Sequence, residues 1–145
     1  MRSGEPRVLA MALRNDRREL TRIGERVDAF GHECGLSHDE TAQINLVLDE
    51  MVSNVIKYGY ADAEEHRIDV TVTVDSHSVQ ISIEDEGKAF NPLEAPVPDL
   101  DLSIEERPIG GLGVFLVRSI VDTFDYRREG NRNVVTLRKT RHAEA

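Results

Sequence analysis

The centre of the chain carries two runs of strict alternation set back to back: Ile68, Val70, Val72 and Val74, then Val79, Ile81 and Ile83, with only Asp75-Ser76-His77-Ser78 between them. A period of two puts these branched side chains on one face of a pleated strand, and the short polar joint turns the chain back on itself. The pair predicts an antiparallel hairpin with one buried face. That face needs a covering layer from elsewhere in the chain.

Three segments can supply it. Arg17 to Glu33 predicts a helix with Leu20, Ile23, Val27 and Phe30 at helical spacing, preceded by Asn15-Asp16 as N-cap residues and loosened at its end by Gly31 and Gly35. Ser37 with Glu40 three residues on forms a capping box and opens a second helix, whose Ile44, Val47, Leu48, Met51 and Val55 share one side and which Gly59 stops. Gly110-Gly111-Leu112-Gly113 leads into a third helix with Val114, Leu116, Val117, Ile120 and Val121. Arg7 to Arg14 reads as a strand before the first helix. Two more strands close the chain around Gly130-Asn131, with Phe124 and Tyr126 before the turn and Val134, Val135 and Leu137 after it.

The order β-α-α-β-β-loop-α-β-β lets every helix lie on one face of a mixed, mostly antiparallel sheet. The expected fold class is α+β, a two-layer sandwich rather than a doubly wound sheet. Without internal repeats, residues 1–145 read as a single domain. A chain of 145 residues buries roughly two thirds of its unfolded surface, so it needs neither disulfide nor structural metal. The lone Cys34 agrees and points to a reducing, cytoplasmic setting.

Charge and hydropathy remove other classes. No apolar stretch approaches the roughly 20 residues of a spanning helix, and Met1-Arg2-Ser3-Gly4-Glu5-Pro6 begins nothing like a signal peptide, so no membrane role is expected. A net charge of −9 argues against nucleic acid as a direct partner. Against that background, Arg17, Arg18, Arg22 and Arg26 gather positive charge on the first helix. They read either as a solvated face or as a contact for an acidic partner or for a second subunit of a homodimer.

Three local features carry chemistry. Glu50, Asn54 and Lys57 project within about 60° of one another at the edge of an apolar helical stripe. There Glu50 could accept a proton, Asn54 could offer an oxygen to Mg²⁺ and Lys57 could meet phosphate, although a solvated helix flank has the same pattern. Asp85 shares parity with Val79, Ile81 and Ile83, so a buried strand face ends in a carboxylate that needs a hydrogen-bond or ligand partner, while Glu84 points to solvent; Asp85-Glu86-Gly87 reads equally as a plain turn. Gly110, Gly111 and Gly113 stand where free N–H groups at a helix start attract anions, and equally where a hinge would bend. His32, Cys34 and His38 lack a convincing fourth ligand for a metal site.

Taken in order, these segments carry a resemblance. Leu48-Asp49-Glu50-Met51-Val52-Ser53-Asn54 resembles the N box of GHKL (Bergerat) ATP-binding domains, Asp85-Glu86-Gly87-Lys88-Ala89-Phe90-Asn91-Pro92 their G1 box, and Gly110-Gly111-Leu112-Gly113-Val114-Phe115-Leu116-Val117 their G2 box. Within that superfamily the chain is most similar to the anti-sigma factor serine/threonine kinases, from about residue 7 to residue 140. The resemblance implies the Bergerat fold, ATP and Mg²⁺ as cofactors, and a lid over about residues 91–110. It implies Glu50 as general base toward a protein hydroxyl, Asn54 as Mg²⁺ ligand, Asp85 as acceptor of the adenine amino group and Gly87 as close backbone to the base. Ala89, Phe90, Gly110, Gly111, Leu112, Gly113 and Val114 would meet the nucleotide, and Lys57 and Arg107 would either supply charge to its phosphates or be surface residues. Ala89 departs from the general pattern, which often has a second glycine there.

The function implied is an ATP-dependent anti-sigma factor that phosphorylates a STAS-type anti-anti-sigma protein and holds a sigma factor. Its alternatives are a nucleotide-binding switch module without turnover and a detached histidine-kinase-like catalytic domain. Between Glu84 and Glu106 eight acids face only Lys88 and Arg107. A polyphosphate bound there must rest on Mg²⁺, helix-end N–H groups and a few local cations.

Overall fold

A computed structural model describes residues 5–58, 64–94 and 111–141. The elements run β1 (Arg7–Arg14), α1 (Glu19–Cys34), α2 (His38–Tyr58), β2 (Arg67–Val74), β3 (Ser78–Asp85), a 3-10 turn (Pro92–Glu94), α3 (Gly111–Ile120), β4 (Thr123–Glu129) and β5 (Arg132–Thr140). The strands form one sheet in the order β1-β2-β3-β5-β4, and all four pairings are antiparallel. The expected mixed sheet is thus antiparallel throughout.

The alternation settles the layers. Ile68, Val70, Val72 and Val74 of β2 and Val79, Ile81 and Ile83 of β3 are all buried, while Asp69, Thr71 and Thr73 between them are half-buried on the other face. Helical residues meet that inner face: Ile23, Val27 and Phe30 from α1, Val47, Leu48, Met51 and Val52 from α2, and Val114 and Val117 from α3. At Asp75 the carboxylate accepts from the N–H groups of His77 (2.7 Å) and Ser78 (2.7 Å), which tightens the β2–β3 turn as an Asx motif.

Helix ends follow local chemistry, with two differences from the sequence reading. The capping box forms as expected: Ser37 N donates to Glu40 Oε1 (2.9 Å), and Glu40 N donates to Ser37 Oγ (3.0 Å). Upstream, α1 begins at Glu19 rather than Arg17, because Asp16 spends its carboxylate on the N–H and guanidinium of Arg18 in a turn before the helix. Gly31 does not loosen α1 but brings it against α2, since a side-chain carbon there would stand 2.5 Å from Thr41 Oγ1. Gly35 ends the helix in the left-handed region at φ 69°, with Leu36 N donating to Gly31 O (2.9 Å). Gly59 lies outside the described residues, as does most of the proposed lid from 95 to 110.

Candidate functional site

The middle of α2 crosses the ends of β3 and β5, and there the apolar layer gives way to polar groups. Asp85, the last residue of β3, is paired in register with Ile68 on one side and Asn133 on the other. Asp85 and Asn133 are both buried. Oδ1 of Asp85 accepts from the backbone N–H of Gly87 (2.8 Å) and from Nδ2 of Asn133 (3.1 Å). Oδ2 receives no hydrogen bond among the described residues. That leaves an unused acceptor on a buried carboxylate that lines a narrow cavity with Met51, Asn54, Val55, Ile83, Phe90 and Val135.

A second orphan faces the same space. Asn54 is only 7% exposed, and its amide makes no hydrogen bond among the described residues. Sequence reading placed it at the edge of a stripe; the structure puts it inside the core boundary. One turn earlier Glu50 is half-buried, and its carboxyl is pushed above the usual range by burial and by the neighbouring Asp49 charge, against which Lys57 pulls it down. Lys57 itself is exposed. The three residues therefore share one flank of α2 at graded depth: Asn54 buried, Glu50 half-buried, Lys57 exposed.

The G1 segment closes the other wall. Gly87 is buried, its N–H on Asp85 and its carbonyl accepting from Nη1 of Arg128 (2.7 Å). Ala89 is exposed, and Phe90 is half-buried against the cavity. Beyond it the described backbone makes the 3-10 turn that carries Pro92 into the lining. Gly111 opens α3, Gly113 stands in its first turn against Glu50, and Val114 is buried in the core instead of facing the cavity. Arg107 and Gly110 lie outside the described residues, and so does the side chain of Leu112.

Sequence reasoning missed the group that ties these parts together. Asn133 Nδ2 donates to Asp85 and to Lys88 O (2.9 Å), while its Oδ1 accepts from Tyr126 Oη (2.6 Å) and Arg128 Nη1 (3.1 Å). The available signal was parity: Asn133 falls in phase with Val135 and Leu137, so it is a polar residue on a buried face, as Asp85 is. On α1, Arg18 is occupied by Asp16 and Arg22 by Glu19, whereas Arg17 and Arg26 make no ion pair among the described residues.

The donor set fits an adenine nucleotide. A buried acceptor at Asp85, a close glycine backbone at 87 and apolar walls suit a base with an exocyclic amino group, and the free amide of Asn54 suits a hard cation. A two-layer antiparallel sandwich with this pocket on its helical side defines a nucleotide-binding domain of the Bergerat class. Residues 13–139 match the histidine kinase-like ATPase domain, and the chain belongs to that family, in its anti-sigma factor and serine/threonine kinase branch. It is 30% identical over 118 residues to the anti-sigma F factor of Bacillus velezensis, covering 80% of this chain and 79% of that protein. To the serine/threonine-protein kinase BtrW of Bordetella bronchiseptica it is 28% identical over 94 residues, 65% of this chain and 66% of that protein's length. Its fold matches the crystal structure of the RsbU and RsbW domains of a Mycobacterium tuberculosis protein with a TM-score of 0.64 at 17% identity, over 94% of this chain and 34% of that one. Among the described residues no helix is long and apolar enough to cross a membrane.

Proposed function

We propose that the chain is an ATP-dependent protein serine/threonine kinase that also acts as an anti-sigma factor, phosphorylating a STAS-type anti-anti-sigma partner in the cytoplasm. The observation that carries this reading is a pair of buried polar groups that line one pocket and make no hydrogen bond among the described residues, Oδ2 of Asp85 and the amide of Asn54, with the half-buried carboxylate of Glu50 one helical turn before Asn54. The relatives named anti-sigma F factor and serine/threonine-protein kinase support it.

Each residue has a role its surroundings suit. Asp85 accepts from the adenine amino group while Gly87 and Asn133 hold its other oxygen. Asn54 offers its amide oxygen to Mg²⁺, and Lys57 adds a solvent-side positive charge near the phosphates. Bound ATP supplies the phosphoryl group. Glu50 takes the proton of the attacking protein hydroxyl, and its raised pKa brings it nearer to the working pH of a general base. Positioning and charge neutralisation are most of what phosphoryl transfer asks of a protein.

Labelled ATP and Mg²⁺ with a candidate STAS partner test this. The wild type should transfer label, and Glu50→Ala should lower the rate by about 10²–10⁴-fold with ATP still bound. Wild-type protein that binds ATP and labels no partner would replace the kinase with a nucleotide-dependent binding switch.

A further inference from the structure

The glycine at 113 meets a side chain before any ligand. An ideal Cβ built on it would overlap Oε2 of Glu50 and lie 2.6 Å from its Cδ and 3.4 Å from its Cγ. The contact is with the carboxylate end itself, which makes no hydrogen bond among the described residues. The carboxylate end of Glu50 therefore stands against the first turn of α3, in space that a methyl group at 113 would take.

We propose that Gly113 is a positioning residue for Glu50: the absence of a side chain there lets the carboxylate stand against α3, one helical turn before Asn54. This rests on Glu50 being the base of the proposed kinase. It gives the glycine a reason separate from phosphate contact. The helix that follows the proposed lid thereby also fixes where the proton acceptor stands.

A four-protein cycle of wild type, Gly113→Ala, Glu50→Ala and the double variant tests it, with thermal melting, ATP affinity and label transfer measured on each. Gly113→Ala should lower Tm by about 2–4 °C in the wild type, because the methyl displaces the flexible carboxylate end from the space the two compete for. In the Glu50→Ala background the same change should leave Tm unchanged or raise it, since that space is vacant and alanine favours a helix. Transfer by Gly113→Ala should fall about 100-fold while ATP affinity stays within about threefold.

Equal Tm losses in both backgrounds would overturn the proposal, as would a loss of ATP affinity matching the loss of transfer. A non-additive Tm cycle in a wild type that transfers no label would sink the kinase reading and still support the steric seat.

Discussion

Asn133 donates from Nδ2 to Oδ1 of Asp85 across the β3–β5 register, and the two side chains are buried at 4% and 3% exposure. The amide thereby occupies Oδ1, the same oxygen that Gly87 N–H binds. One oxygen is fixed by the protein, and the other is left as an acceptor. Asp85→Asn keeps the shape and can keep its oxygen toward Gly87, but it turns an NH₂ group into the pocket where an adenine amino group must also donate. ATP affinity should drop about 100-fold with melting little changed, read by calorimetry and a thermal scan. Equal affinity in the two proteins would remove Asp85 from the site.

Asn133→Ala tests the hub. It strips a donor from buried Asp85 and from Lys88 O, and an acceptor from Tyr126, Arg128 and Phe90 N, so five groups lose a partner at once. Unfolding in urea should show a loss of about 2–4 kcal/mol. Asn133→Asp should cost more, because a second carboxylate would face Asp85 without a donor between them. A loss under about 1 kcal/mol for Asn133→Ala would mean that water replaces the amide there.

Glu50 predicts a trade between stability and activity. Burial first, and then the Asp49 charge, raise its pKa above the ordinary 4.5 in the folded protein. A raised carboxyl pKa favours the protonated form in the native state. That contribution is present below 4.5 and is lost as the pH climbs through the folded value. Glu50→Gln should therefore be more stable than wild type at pH 7, by no more than about 1 kcal/mol, with the advantage vanishing below about pH 4. Asp49→Asn should move the acid limb of the transfer rate to lower pH, and Lys57→Ala should move it higher.

How much of this the sequence could say depends on range. The β2–β3 hairpin, the capping box at Ser37 and the burial of Asp85 follow from neighbours a few residues apart, where period and side-chain chemistry act directly. Asn133 was hidden because its partners lie 48 and 45 residues away at Asp85 and Lys88, and no local pattern marks an asparagine as paired. Gly31 was misread for the same reason. Its neighbour Thr41 belongs to the next helix, so a glycine that permits close packing looks, within its own helix, like a weak point. Asn54 stood at the border of an apolar stripe, and only the sheet packed above it decides that it is buried.

The far end of the sandwich predicts an acid-sensitive clasp that is independent of the nucleotide. Arg141, just past β5, donates from Nε to Oε2 of Glu40 (2.7 Å) and from Nη1 to Asp75 O (2.9 Å), tying the end of the last strand to the first turn of α2 and to the β2–β3 turn. Burial works to raise the pKa of Glu40, but Arg141 and the Ser37 hydrogen bonds outweigh it and leave the value lowered. A lowered carboxyl pKa stabilises the fold above the ordinary 4.5, and that stabilisation disappears as the pH falls through the folded value. Arg141→Ala should cost about 1–2 kcal/mol at pH 7, a charge-assisted pair being stronger than a neutral one. The gap between variant and wild type should narrow steadily as the pH falls below about 4, where Glu40 takes up its proton in both. Urea unfolding at pH 7 and pH 3 measures it, with Glu40→Gln as the companion variant that removes the titrating group. A gap that is constant with pH would show that Arg141 stabilises through its carbonyl contact and packing rather than through the Glu40 charge.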